Sequence, residues 1–168
     1  LGEIEAAIGR EQLRKGPRLI AERKNNVAYL ENALKGLPGL GMPKIGAAGD
    51  HVYYVHVLDY DATVTGVSRD LVVRALKAEL PVTELREGEG PLVGMGYVRP
   101  LYLLPMFKKM TGYGKTGCPF TCPHYEGEVR YEEGMCPNTE AAHFHRVITH
   151  ELMRPGMTRS DLDDVAAA

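Results

Sequence analysis

The side chains most able to do chemistry cluster in one stretch. Cys118 and Cys122 flank a Pro-Phe-Thr tripeptide, His124 follows two residues on, and Cys136, His143 and His145 come further along. Thiolates and imidazoles at short spacing are the ligands zinc takes. The pattern is incomplete, because no second paired knuckle follows and only Cys136 and the two histidines are left to complete it. His143 and His145 are two apart on an expected helix, so they point in different directions. The competing readings are a loop of small buried thiols and turn prolines, and a loop that shapes a substrate pocket. A structural site would contribute on the order of 10 kcal/mol to folding, so the expectation here is no bound metal. Elsewhere the chemistry is thinner. His56 reads as a packed or edge histidine, Tyr53 and Tyr54 as core or sheet surface, and Glu3, Glu5, Arg10, Glu11 and Arg14 as a solvated helix face.

Helices and strands must position these groups. Ile4, Ala7 and Ile8 fall at helical spacing in the opening residues. Pro17 suits the first turn of a second helix, which Ile20, Val27, Leu30 and Leu34 continue until Gly36, Pro38, Gly39 and Pro43 end it. His51 to Tyr60 is rich in β-branched and aromatic residues and apolar on both faces, which predicts a central strand. Ser68 is placed to cap a helix over 69–80, with Leu71, Val72, Ala75 and Leu76 inward. Residues 81–86 are a short strand candidate. The glycine-rich stretch that follows lacks the Gly-Lys-Ser/Thr ending of a phosphate loop. Residues 104–110 hold one or two helical turns, and 112–135 form a long loop of the kind that often carries function. Residues 138–153 read as a helix capped by Asn138 or Thr139, and Thr158 with Asp161 forms a capping box for a last helix from Arg159. The predicted order is helix, helix, strand, helix, strand, loop, helix, helix, a small α/β sandwich.

With 168 residues the chain can build one domain with a real core. It is 44% apolar and 25% charged with a net charge of −2, which argues against disorder and against a basic nucleic-acid face. No apolar run reaches the roughly 18 residues of a membrane span, and no secretory signal opens the chain. Three cysteines, an odd count, argue against a closed disulfide framework and for a reducing, cytoplasmic setting. The chain opens inside a helical pattern with no cap before it, which reads as a fragment of something longer.

Three blocks in order resemble the DegT/DnrJ/StrS sugar aminotransferases. Residues 1–34 are similar to the helix pair that follows the cofactor lysine region of that family. Residues 96–107, "GYVRPLYLLPMF", are similar to its His-Tyr-x-x-Pro-Leu-His-x-Gln-Pro segment. Residues 136–168, with Cys-Pro-x-x-Glu and Met-Thr-x-x-Asp-x-x-x-Val, resemble its C-terminal end. The resemblance implies the small C-terminal domain of a fold type I pyridoxal-phosphate enzyme, a short, mainly antiparallel sheet packed with helices, spanning 1–168. It implies a homodimer that moves an amino group from glutamate or glutamine onto a nucleotide-linked keto-sugar or a cyclitol ketone.

The Schiff-base lysine implied by the family would lie upstream of Leu1, so no catalytic residue is expected within the chain, and the chain alone is expected to be inactive. Lys15, Lys24, Lys35, Lys108, Lys109 and Lys115 have no family-like context. The segment that in the family faces the active site departs from the pattern: Gly96 and Tyr102 stand where histidines are usual and Leu104 where glutamine is. Tyr97, Arg99 and Tyr102 are therefore the substrate-binding candidates, Tyr102 as a ring with one polar handle and Arg99 as a cation for a carboxylate or phosphate. Residues 118–135 look like an insertion, because the family usually runs almost directly into the Pro-x-x-Glu helix. Two other readings remain: a free-standing binding or regulatory module with this small-domain fold, and a zinc-stabilised interaction domain.

Overall fold

The computed structural model describes residues 2–46, 49–81, 92–115, 117–121 and 123–168. Four short strands form one antiparallel sheet in the order β1-β2-β4-β3, with β1 at Leu40–Gly41, β2 at His56–Tyr60, β3 at Val93–Met95 and β4 at Val147–His150. The helices are α1 at Glu3–Ala33, α2 at Ala62–Thr65, α3 at Arg69–Glu79, α4 at Pro105–Lys108, α5 at Pro137–Ala141 and α6 at Arg159–Ala167. This is the small α/β domain with a mainly antiparallel sheet that the sequence predicts.

Two caps form as their residues dictate. The Ser68 hydroxyl accepts from the Leu71 amide at the head of α3. Thr158 and Asp161 close a reciprocal capping box on α6. Elsewhere the expectations need correction. The opening is one helix of 31 residues with Pro17 inside it, not two. Gly16 has no Cβ to meet the proline ring, and Leu13, four residues before Pro17, is exposed, so its carbonyl can turn to water. On α3 the inward residues are Arg69 and Val73, with Val72 and Leu76 at the margin, whereas Leu71 and Ala75 face solvent. The strand expected from His51 begins only at His56, because Tyr53 takes a positive φ of 51° and turns the chain.

The largest correction concerns residues 138–153. A short α5, without the side-chain cap expected from Asn138 or Thr139, gives way to a π turn at Ala142–Arg146 and then to β4, which lies between β2 and β3. Val147, Ile148 and Thr149 are β-branched, and two neighbouring strands satisfy their backbone groups, which outweighs the local helical pattern. Residues 93–95, read as part of a glycine-rich loop, form the other partner of β4. The strand candidate over 81–86 lies outside the described residues after Pro81.

The core lies where α3 and the ends of α1 and α6 meet the sheet. Leu58, Tyr60, Val73, Leu80, Val93 and Ile148 form one cluster, and Val27, Leu30, Met153 and Leu162 a second. Between them lies an apolar cavity of about 310 Å³, bordered by Leu34, Leu40, Leu76, Val165 and Ala168.

At the edge of this core His56 and His150 are cross-strand partners, both buried. The Leu152 amide donates to His150 Nδ1 at 3.2 Å, which fixes the neutral His150 proton on Nε2. That proton is donated to His56 Nδ1 at 2.8 Å, so the His56 proton sits on Nε2 and reaches Glu31 Oε1 at 3.1 Å. His56 is thus a packed histidine, as the sequence predicts, but one end of a directed hydrogen-bond relay to α1.

Candidate functional site

The chain leaves β3 at Gly96, which is buried and left-handed with φ of +68°. Its amide donates to Val147 O at 2.8 Å and its carbonyl accepts from Thr149 Oγ1 at 2.6 Å. Four residues later Pro100 is again buried, followed by a 3₁₀ turn at Leu101–Leu103 that sinks Leu103 into the interior. Between these anchors Tyr97, Val98 and Arg99 stand exposed. A solvent-facing tripeptide carrying a phenol and a guanidinium is held at both ends by the sheet, a geometry suited to presenting contacts to a ligand.

Of the three candidates, Tyr97 and Arg99 share this turn, and Tyr102 does not join them. Tyr97 lies against Tyr54, whose phenol raises its pKa through charge proximity and a hydrogen bond, with burial also contributing. Tyr54 is exposed and sits just after the left-handed Tyr53, so the pair is a small aromatic surface beside the turn. Tyr102 points inward and donates its hydroxyl proton to Glu140 Oε1 at 2.6 Å. Burial first, then the Glu140 carboxylate, pushes its pKa up to about 12. Glu140 is held below the usual carboxylate range by that bond and by the Gly134 amide, which donates to both its oxygens at 2.9 Å. The polar handle of Tyr102 therefore ties the turn to the head of α5.

The second stretch that approaches the turn is the π turn. A Cβ at Gly96 would stand 2.7 Å from His143 Nδ1. His143 is half-buried and its pKa is lowered by burial, then by Arg69 and Arg99. Arg69, itself buried, fixes the π turn from α3: Nη1 donates to the carbonyls of His143 and Val147, and Nη2 to that of Phe144. Sequence reasoning missed Arg69, Tyr54 and the placing of His143. Only an arginine on the expected inward face of α3 could have signalled the first.

Among the described residues no group of three or more His, Cys, Asp or Glu is placed to hold an ion, and Cys122 lies outside them. His124 and His145 are exposed. The loop over 112–135 is attached to α4 through a T-shaped set of rings, Phe107 with Phe120 and Tyr131 at 6.3 and 5.3 Å. Lys15, Lys35, Lys44, Lys77, Lys108, Lys109 and Lys115 are exposed and Lys24 pairs with Asp50, so no lysine among the described residues is enclosed as a Schiff-base lysine would be.

A sequence profile of the DegT/DnrJ/EryC1/StrS aminotransferase family matches residues 1–122. The chain is 25% identical over 166 residues to the spore coat polysaccharide biosynthesis protein SpsC of Bacillus subtilis, covering 99% of this chain and 35% of that protein. Its fold matches DesV of S. venezuelae, solved in complex with a ketimine intermediate, with a TM-score of 0.70 and 20% identity, over 99% of this chain and 35% of that one. DesI, solved in the presence of its TDP-sugar product, matches with a TM-score of 0.60 and 23% identity, over 96% of this chain and 33% of that one. The chain thus spans about a third of the length of these proteins. With the profile covering well over half of its residues, the chain belongs to the DegT/DnrJ/EryC1/StrS aminotransferase family.

Proposed function

We propose that residues 1–168 are the C-terminal small domain of a pyridoxal-phosphate aminotransferase whose acceptor is a nucleotide-linked keto-sugar or a cyclitol ketone. The observation that carries the reading is the Tyr97-Val98-Arg99 turn, exposed between the buried anchors Gly96 and Pro100 in a chain of this family. DesI, with its TDP-sugar product, and SpsC, a polysaccharide biosynthesis protein, support a sugar-linked acceptor. In the complete protein a lysine outside this chain carries the cofactor, which serves as electron sink for amino transfer. The described residues do not fit that group, so their part is on the acceptor side.

Tyr97 offers a phenol and an aromatic face to the acceptor ring, and Arg99 a planar cation for a phosphate or carboxylate. Tyr102 positions the turn through Glu140. Residues 118–135 are read as an inserted loop. The working form is a homodimer in the cytoplasm, with glutamate or glutamine as amino donor and no nucleic-acid partner.

The test uses the full-length protein with glutamate or glutamine and either a TDP-linked 4-ketohexose or a keto-inositol, following amine formation by mass spectrometry. Amination of one ketone is expected. Arg99→Ala and Tyr97→Ala should raise the acceptor KM several-fold while leaving the borohydride-reducible imine band intact. Amination of neither ketone, or loss of the imine band in both variants, would overturn the reading.

A further inference from the structure

We infer that His143 is a further acceptor-contacting residue, its imidazole seated on the bare Cα of Gly96 beside Arg99 and placed to hydrogen-bond a ring hydroxyl of the ketone substrate. The inference rests on the acceptor reading above and names a group that reading does not contain.

The seat is built from both sides. A Cβ at position 96 would meet His143 Nδ1 at 2.7 Å, its carbonyl oxygen at 2.7 Å and Cε1 at 2.9 Å, so only glycine leaves room for the ring and backbone of this residue. Gly96 cannot drift away, because its amide and carbonyl are bound to Val147 and Thr149 on β4. The backbone of His143 cannot either, because Arg69 holds its carbonyl at 3.2 Å and also those of Phe144 in the π turn and Val147 at the start of β4. A π turn is itself uncommon and recurs at functional sites.

The ring is polar and half-buried, yet among the described residues neither of its nitrogens has a hydrogen-bond partner. Neither nitrogen is a fully buried unpaired atom, so solvent reaches the ring, and a ligand atom can take the place of that water. The Nδ1–Cε1 edge is taken up by Gly96, which leaves Nε2 as the nitrogen farther from that backbone. Burial and the two neighbouring guanidiniums keep the imidazole neutral near pH 7. At Nε2 a neutral imidazole either donates or accepts, according to its tautomer, and a hydroxyl can meet it in either sense. An anionic group of the same substrate would fall to Arg99.

The experiment is a KM and kcat comparison in the full-length enzyme, using the TDP-linked 4-ketohexose or the keto-inositol, whichever is aminated, together with its monodeoxy analogues. His143→Ala should raise the acceptor KM about fivefold to tenfold, the worth of one neutral hydrogen bond, with kcat and the imine band little changed. For one monodeoxy analogue, wild type and variant should have equal KM. His143→Gln, which keeps a donor and an acceptor near Nε2, should recover part of the loss, and it stands in if the alanine variant fails to fold. An unchanged KM in both His143 variants while Arg99→Ala raises it, or the same KM increase for every deoxy analogue, would overturn this inference and leave the acceptor site standing. No effect from Arg99, Tyr97 or His143 would overturn the site itself and this inference with it.

Discussion

His56 and His150 are neutral because the core makes them so. Burial, then the neighbouring His56, lowers the His150 pKa to about 3. For His56, burial lowers the value and His51 adds to that, while Glu31 works against it by favouring the charged form. In the unfolded chain both return to about 6.5. The folded values lie below the unfolded ones, so below about pH 6.5 the unfolded state binds more protons. The stability His150 contributes is present above pH 6.5 and is lost as pH falls from there toward 3, by about 1.4 kcal/mol per pH unit, and His56 acts in the same direction. The relay gives the structural reason, since a second proton on His150 would point Nδ1–H at the Leu152 N–H. The urea midpoint should therefore drop between pH 7 and pH 5. In an NMR titration the His150 ring signals should stay flat over that range, and a midpoint near 6.5 would contradict the buried relay.

At the scale of elements, one side chain joins α3 to the π turn. Arg69 is 4% exposed and donates to three main-chain carbonyls at the point where the π turn passes into β4. One side chain reaches all three because the guanidinium is flat and has several donors, and the Val147 carbonyl also accepts from the Gly96 amide. Arg69→Leu should cost about 2 kcal/mol or more, because the half-buried carbonyls of His143 and Phe144 lose this donor. Arg69→Lys should recover little of it, having one compact ammonium in place of a fork. Denaturant unfolding of the two variants checks this, and a lysine variant as stable as wild type would show that charge alone is what the site needs. In the full-length enzyme both variants should also weaken acceptor binding, since the π turn carries His143 against Gly96.

At the scale of the molecule, α1 is divided. Its last third is docked: Val27 and Leu30 are buried, Asn26 donates to the carbonyls of Met153 and Arg154, and Arg159 stacks over Tyr29 at 4.1 Å. Its first part carries Ile4 and Ile8, one turn apart on the same face, at 76% and 57% exposure. Apolar side chains presented together on a helix favour association. The 168-residue chain should therefore self-associate as concentration rises in sedimentation velocity, and Ile4→Glu with Ile8→Glu should shift it toward monomer. A monodisperse monomer at high concentration would count against this.

The sequence by itself determined what depends on near neighbours. The Ser68 cap and the Thr158–Asp161 box are contacts across three residues, and they form wherever those residues stand ahead of a helix. The family blocks were legible for a related reason, since motif residues keep their order and spacing along the chain. Tertiary structure alone decided what depends on distant partners. Val147–His150 has a helical neighbourhood in sequence, yet it is a strand because β2 and β3 stand ready on either side. The His56–His150 bond joins residues 94 apart. The inward turn of Tyr102 needs Glu140, and the seat of His143 needs a glycine 47 positions earlier, the difference between 143 and 96. No periodicity encodes such pairings, because they are fixed by which surfaces the collapsed core brings together.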